Sequence, residues 1–299
     1  MCGMMGIMTG AREFFADDFI KDSFTTSMLR GVDSSGIAMI DPDTQRSLVH
    51  KLPIAGNFFV EDKVAAEIIK AAGAARSLTM CHVRAATVGK VTVSNAHPFE
   101  INTGDKTLIG THNGTLRNWQ TKTGGSKFTV DSEWALSRIA VEGTDAFEEI
   151  TGAYAFAWWD SSDPQFLNFA RNDERPLAVA FIEGNGLAYA SEAGMLYWLL
   201  ERNKINLDGP ILELDKDKHY KFEVNNPKNF TSYNLPAPIV SNSYNHSTGT
   251  YSYNHSYNYT VVDRVDALVK ELTSATVPVP LTKEEQSDYA LNFPLVFEK

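Results

Sequence analysis

Apolar and polar positions alternate in short blocks over residues 2–236, and each block has the length of one element. Residues 2–8 form an apolar run that predicts a strand beginning at Cys2. Residues 36–40, 47–52, 77–86, 107–116, 153–159, 166–170, 177–182 and 187–190 predict further strands. Helical spacing marks 16–29, 61–72 (Val64, Ile68 and Ile69 on one face), 131–141 (Trp134, Leu136, Ile139, opened by an N-cap-like Asp131) and 194–201. Residues 211–224 predict a long hairpin or one bent strand. Strands come in runs rather than in strict alternation with helices, so an antiparallel α+β layer fold is expected over a doubly wound one.

The pattern stops after residue 236. Residues 241–260 consist almost wholly of Ser, Asn, Tyr, His, Thr and Gly, with the near-repeat Ser243-Tyr244-Asn245-His246 and Tyr253-Asn254-His255-Ser256. Such a tract buries too little apolar surface to offset its ordering entropy, and 237–260 is expected to be a linker. Metal or carbohydrate binding is the competing reading of its His and Tyr density. Helical spacing returns at Val262, Val265, Leu268 and Leu272, so 261–299 is expected to be a helix and tail.

Composition narrows the function classes. The 299 residues are 43% hydrophobic and 11% aromatic, enough for a sizeable core. A net charge of −10 argues against nucleic acid as a partner. No apolar run approaches the roughly 20 residues that cross a bilayer, and no secretion signal is apparent. Cys2 and Cys81 are the only cysteines, which suits a reducing, cytoplasmic setting; no metal-ligand spacing, phosphate loop or dinucleotide fingerprint appears, so no cofactor is expected.

Cys2 directly follows Met1. With Met1 removed, it would carry a thiol of pKa about 8.5 and an α-amino group of pKa about 8 on one residue, nucleophile and base together. Three later segments carry chemistry: His82-Val83-Arg84-Ala85-Ala86-Thr87-Val88-Gly89, Thr111-His112-Asn113-Gly114-Thr115-Leu116 and Val130-Asp131-Ser132-Glu133. Each has a plain alternative. Cys2 is then a residue of a frayed terminus, Arg84 a surface ion-pair partner, Asn113-Gly114 a hairpin turn and Asp131 a helix cap.

Taken in this order behind Cys2, the segments resemble the class II glutamine amidotransferases, a family of N-terminal nucleophile (Ntn) hydrolases. Arg30-Gly31-Val32-Asp33-Ser34-Ser35-Gly36, Asn95-Ala96-His97-Pro98-Phe99, Thr151-Gly152-Ala153-Tyr154-Ala155-Phe156, Arg171-Asn172-Asp173-Glu174-Arg175-Pro176-Leu177 and Ala190-Ser191-Glu192 extend the resemblance over residues 2–200. It implies a four-layer αββα sandwich of two antiparallel sheets between helical layers, spanning 1–236. It also implies roles. Cys2 attacks the glutamine side-chain amide, and Asn113 and Gly114 hold the oxyanion. Arg84, Thr87 and Asp131 bind the amino-acid end, and Arg30, His97 and His112 support the site from behind. Ala85 and Val88 depart from the synthase-type pattern, which has tryptophan and histidine there, and look more like stand-alone members.

The resemblance implies glutamine as substrate and a separate synthetase or ATP-dependent amide ligase as ammonia acceptor, because no acceptor domain is expected after residue 236. The alternatives are a self-sufficient γ-glutamyl amidohydrolase of small peptides and an inactive binding protein on the same fold. Cys81 is expected to be an inert buried thiol.

Overall fold

The structure, a computed structural model, describes residues 2–9, 16–74 and 77–238. The expected linker at 237–260 and helix and tail at 261–299 lie outside the described residues, apart from 237 and 238.

One sheet, here called sheet A, contains β1 (Gly3–Met8), β2 (Ser34–Asp41), β3 (Arg46–Leu52), β4 (Leu78–Arg84), β9 (Ala178–Ile182), β10 (Gly186–Ala190) and β11 (Leu212–Glu213). Their spatial order is β11-β9-β10-β1-β4-β2-β3. Sheet B contains β5 (Phe99–Asn102), β6 (Thr107–Leu116), β7 (Gly152–Asp160), β8 (Phe166–Arg171), β12 (Lys218–Glu223) and β13 (Phe230–Asn234), in the order β13-β12-β8-β7-β6-β5. All pairings are antiparallel, as the runs of strands predicted. The helices are α1 (Ala16–Ser27), α2 (Gly56–Phe59), α3 (Lys63–Ala74), α4 (Asp131–Glu142) and α5 (Ala193–Arg202).

Side-chain alternation along the strands divides the apolar residues into three layers. Met5, Ile7, Cys81 and Val83 of sheet A pack with Phe19, Phe24, Ile69 and Leu199 from α1, α3 and α5. Their alternates Met4, Met8, Leu78 and Met80 meet Ile109, Ala157, Phe169 and Phe222 of sheet B between the sheets. The far face of sheet B, with Tyr154, Phe156 and Trp158, packs on Trp134, Leu136 and Ile139 of α4. The result is the αββα sandwich.

Two expectations, on residues 211–224 and on Asp131, need correction. Residues 211–224 form neither a hairpin nor one bent strand but two strands in different sheets: β11 pairs β9, β12 pairs β8, and Asp217 turns the chain between them at φ +57°. The four-residue β5 and the wholly exposed β13 were not expected. The strand expected over 107–116 is β6, so of the two readings of Asn113-Gly114 the hairpin turn falls: Asn113 pairs Ala155 and Gly114 pairs Tyr154. Asp131 is the first residue of α4; Val130 occupies the N-cap.

Candidate active site

The site forms at one end of the layer between the sheets. In β1 and β4, Gly3 is opposite Val83 and Met4 opposite His82; continuing that register sets Cys2 beside Arg84. His82 and Arg84 are in phase with Leu78 and Met80, so they face the space between the sheets. On β6, Thr111 and Asn113 are in phase with Ile109 and face the same space from the other side.

Cys2 is buried, and its Sγ donates weakly to Ala85 O at 3.7 Å. Burial pushes its thiol pKa up; the Ala85 contact and the Arg84 charge pull it down, and the Asp131 charge raises it further. The thiol is thus predominantly protonated at neutral pH and needs a nearby base to become a nucleophile. Arg84 and Asp131 both act on it electrostatically, so the structure gathers three of the expected site residues around one sulfur.

Arg30 fixes the backbone of Cys2. Its Nε donates to Cys2 O at 2.8 Å, and its Nη1 pairs with Glu192. Ser191 Oγ accepts the next strand hydrogen bond, from Met4 N, at 2.9 Å.

Arg84 is 4% exposed. Its Nη1 donates to Lys90 O at 3.1 Å and its Nη2 to Val88 O, so its guanidinium clasps the loop that follows its own strand. Two of five guanidinium N–H groups are used this way. It is therefore no surface ion-pair residue. Ala86 N donates to Asp33 Oδ2 at 2.6 Å, and Asn95 links Lys90 O to Thr129 Oγ1. Thr87 is exposed, with its Oγ1 3.2 Å from Thr115 Oγ1 at the end of β6.

Asn113 has no exposed surface, yet among the described residues neither atom of its side-chain amide has a hydrogen-bond partner. An unpartnered buried amide is costly in a purely structural residue. Gly114 follows. A Cβ there would stand 1.9 Å from Ala153 O, so only glycine permits this close approach. Asp131 is buried and ties two elements together: Oδ2 accepts from Leu116 N at 2.8 Å and Oδ1 from Ser132 N at 3.0 Å.

Three buried histidines back the site. His112 faces α4, with Nδ1 2.8 Å from Ser132 Oγ and its ring stacked on Phe156 at 4.5 Å. His97 stacks on His82 at 4.0 Å and edge-on to Phe99 at 4.7 Å, with no hydrogen-bond partner for either ring nitrogen. Burial lowers the pKa of all three, His82 to about 3, so all are neutral at pH 7 and no imidazolium serves the thiol. His82 was not singled out in the sequence; its place in the strand pattern was visible, but its ring contacts cross between sheets. Lys51 was also missed: its Nζ donates to Ala96 O at 2.7 Å and lies 4.6 Å above the Phe99 ring, holding the 95–99 segment. Cys81 is buried in the helix-side core, where burial raises its thiol pKa strongly.

Among the described residues no group of three or more His, Cys, Asp or Glu is placed to hold a metal ion. No described helix is long and apolar enough to cross a membrane.

Comparison with known proteins shows what the chain is similar to. The family model for glutamine amidotransferases class-II matches residues 51–150. The glutamine–fructose-6-phosphate aminotransferase (isomerizing) of Streptococcus pneumoniae is 29% identical over 213 residues, covering 66% of this chain and 33% of the relative. That of Lactococcus lactis is 28% identical over 234 residues, covering 73% and 36%. The chain thus spans about a third of the length of these relatives. The glutamine phosphoribosylpyrophosphate amidotransferase from B. subtilis, solved with ADP and GMP, superposes with a TM-score of 0.59 at 18% identity, covering 80% of this chain and 50% of that one. The allosteric regulatory enzyme of purine biosynthesis gives 0.60 at 20% identity, with the same coverage. These two likenesses concern the fold. Together with the family match, they place the chain by similarity: residues 51–150 match the class II glutamine amidotransferases, on the antiparallel α+β fold shared with the solved amidotransferases.

Proposed function

We propose that the domain hydrolyses the side-chain amide of glutamine through a thioester on Cys2. The observation that carries this reading is Asn113, whose fully buried amide has no hydrogen-bond partner among the described residues and faces the sheet that bears Cys2. Cys2 Sγ attacks the amide carbon, and its proton passes to the α-amino group freed by removal of Met1. The oxyanion forms against Asn113 Nδ2 and Gly114 N–H, donors of a kind typically worth about 100–1000-fold in rate. The α-ammonium returns the proton to the leaving nitrogen, and ammonia departs. Water then opens the γ-glutamyl thioester, releasing glutamate and restoring the thiol. Burial keeps Cys2 protonated and the neighbouring histidines neutral, which favours a base carried by the nucleophile itself.

Arg84 has the planar fork to pair with the substrate α-carboxylate, Asp131 the charge to hold its α-ammonium, and Thr87 a hydroxyl at the loop that would lie against it. The ammonia acceptor lies outside the described residues, on a separate synthetase or ATP-dependent amide ligase. Ala85 and Val88 favour a second reading, a γ-glutamyl amidohydrolase acting alone, because the loop they occupy lacks the large side chains of the synthase-type pattern.

Steady-state hydrolysis of glutamine, asparagine and γ-glutamyl dipeptides tests the proposal. Glutamine should be cleaved, slowly without an acceptor. Arg84→Ala and Asp131→Ala should each raise KM strongly, since each strands one end of a zwitterion. Rapid cleavage of a γ-glutamyl peptide by the protein alone would transfer the assignment to the amidohydrolase. No cleavage of any of them would reject both.

A further inference from the structure

The nucleophile and the oxyanion donors stand on different sheets. Cys2 precedes β1, which is paired with β4, whereas Asn113 and Gly114 are on β6. The rate of attack depends on the distance between these strands, and misplacement by about 1 Å costs on the order of 100-fold. Most of the contact between the sheets is made by apolar side chains, which are non-directional and do not fix a gap to that tolerance.

His82 supplies a directional contact at this end. It lies opposite Met4 in the β1–β4 register, two residues along from Cys2. Its Nε2 is 3.1 Å from His112 O, the carbonyl of the peptide that leads into Asn113. A carbonyl only accepts, so Nε2 carries the proton and the tautomer is fixed. The ring is held by the stack on His97, whose carbonyl oxygen lies against Gly36 of β2: a Cβ on Gly36 would come within 2.0 Å of it. His97 in turn belongs to the segment clamped by Lys51 through Ala96 O. The imidazole is buried on every side and stays neutral across the working pH range.

We propose that His82 is a positioning residue: its Nε2–H bond to His112 O sets the gap between the sheet that carries Cys2 and the strand that carries Asn113 and Gly114. It touches neither substrate nor reacting atom. The proposal rests on the hydrolase reading above for its kinetic consequence but not for its structural one.

The test compares His82→Gln, His82→Asn and His82→Phe in the full chain. Glutamine places its amide N–H where Nε2–H stands, asparagine places it nearer the backbone, and phenylalanine keeps the stack but has no donor. Turnover should fall by about tenfold or more in the Phe and Asn variants with KM little changed, and Gln should restore most of it. A residue that merely fills space would be served as well by Phe. Backbone amide shifts of Asn113 and Gly114, read by NMR, should move in His82→Phe and return in His82→Gln. Unperturbed Asn113 and Gly114 signals in His82→Phe would overturn the proposal, as would equal impairment of the Gln and Phe variants. Should the parent chain prove inactive on glutamine, the hydrolase reading fails and the NMR comparison still decides this one. A His82→Phe chain that does not fold leaves the decision to His82→Asn, read in the same way.

Discussion

The two ends of the layer between the sheets are built from the same strands and do opposite things. At one end Met8, Leu78, Ile109, Phe169 and Phe222 close an apolar core with no exposed surface. At the other, the same alternating positions of β4 and β6 carry His82, Arg84, Thr111 and Asn113, equally buried but polar. One side is filled by apolar contact area, with the Tyr189 hydroxyl enclosed in it. The other leaves the Asn113 amide and both His97 nitrogens without hydrogen-bond partners among the described residues. Backbone phase is unbroken from one end to the other, so the fold guides side chains into the site with the same pleat that guides them into the core. Only residue identity changes.

That contrast breaks first under substitution in the apolar end. Phe169 is fully buried and makes edge contacts with Tyr189 at 4.9 Å and Phe222 at 5.7 Å. Phe169→Ala should lower unfolding stability by about 3–5 kcal/mol, read by denaturant titration. A loss no larger than that of a surface substitution would mean the core is not where it is placed here.

Asn113→Ala should invert the pattern. Turnover should fall by about 100–1000-fold with KM changing little, because in the proposed mechanism the lost donor acts on the oxyanion. Stability should hold or rise, since an amide with no partner contributes no hydrogen bond to lose. Normal turnover with a raised KM would contradict the oxyanion assignment.

The polar end should also be the acid-sensitive one. His82, His97 and His112 all have pKa values lowered by burial, His82 to about 3. An unfolded histidine takes up its proton near pH 6.5, so below that value the unfolded chain binds protons the folded chain refuses. Stability should be insensitive to these groups above pH 6.5. It should decline as pH falls from 6.5 toward His82's pKa of about 3, by about 1.4 kcal/mol per pH unit from His82, with His97 and His112 acting in the same direction. Unfolding free energies measured from pH 7.5 to 5 check this. His82→Gln should show a shallower slope, and an unchanged slope would remove His82 from the set.

Much of this was legible in the sequence. β1, β4 and β6 announced themselves as strands, but which faces Cys2, Arg84 and Asn113 take emerges only from the sheet register. The family resemblance supplied the reason for their company. The failures are local and physical. The chain from 211 to 224 reads as one element because its apolar spacing continues, but left-handed Asp217 carries it from one sheet to the other. β5 alternates apolar and polar but over only four residues, and β13 is wholly exposed, so neither stood out. The role of His82 depends on a partner on the opposite sheet, a relation no linear spacing records.

The central claim is that Cys2 is both nucleophile and, through its own α-amino group, base. Peptide mass mapping of protein quenched in acid during glutamine turnover tests it most directly. The account predicts that active molecules lack Met1 and carry a γ-glutamyl group on Cys2, and that Cys2→Ala folds but forms no adduct. Full activity in protein that retains Met1, or an adduct on any other residue, would contradict it.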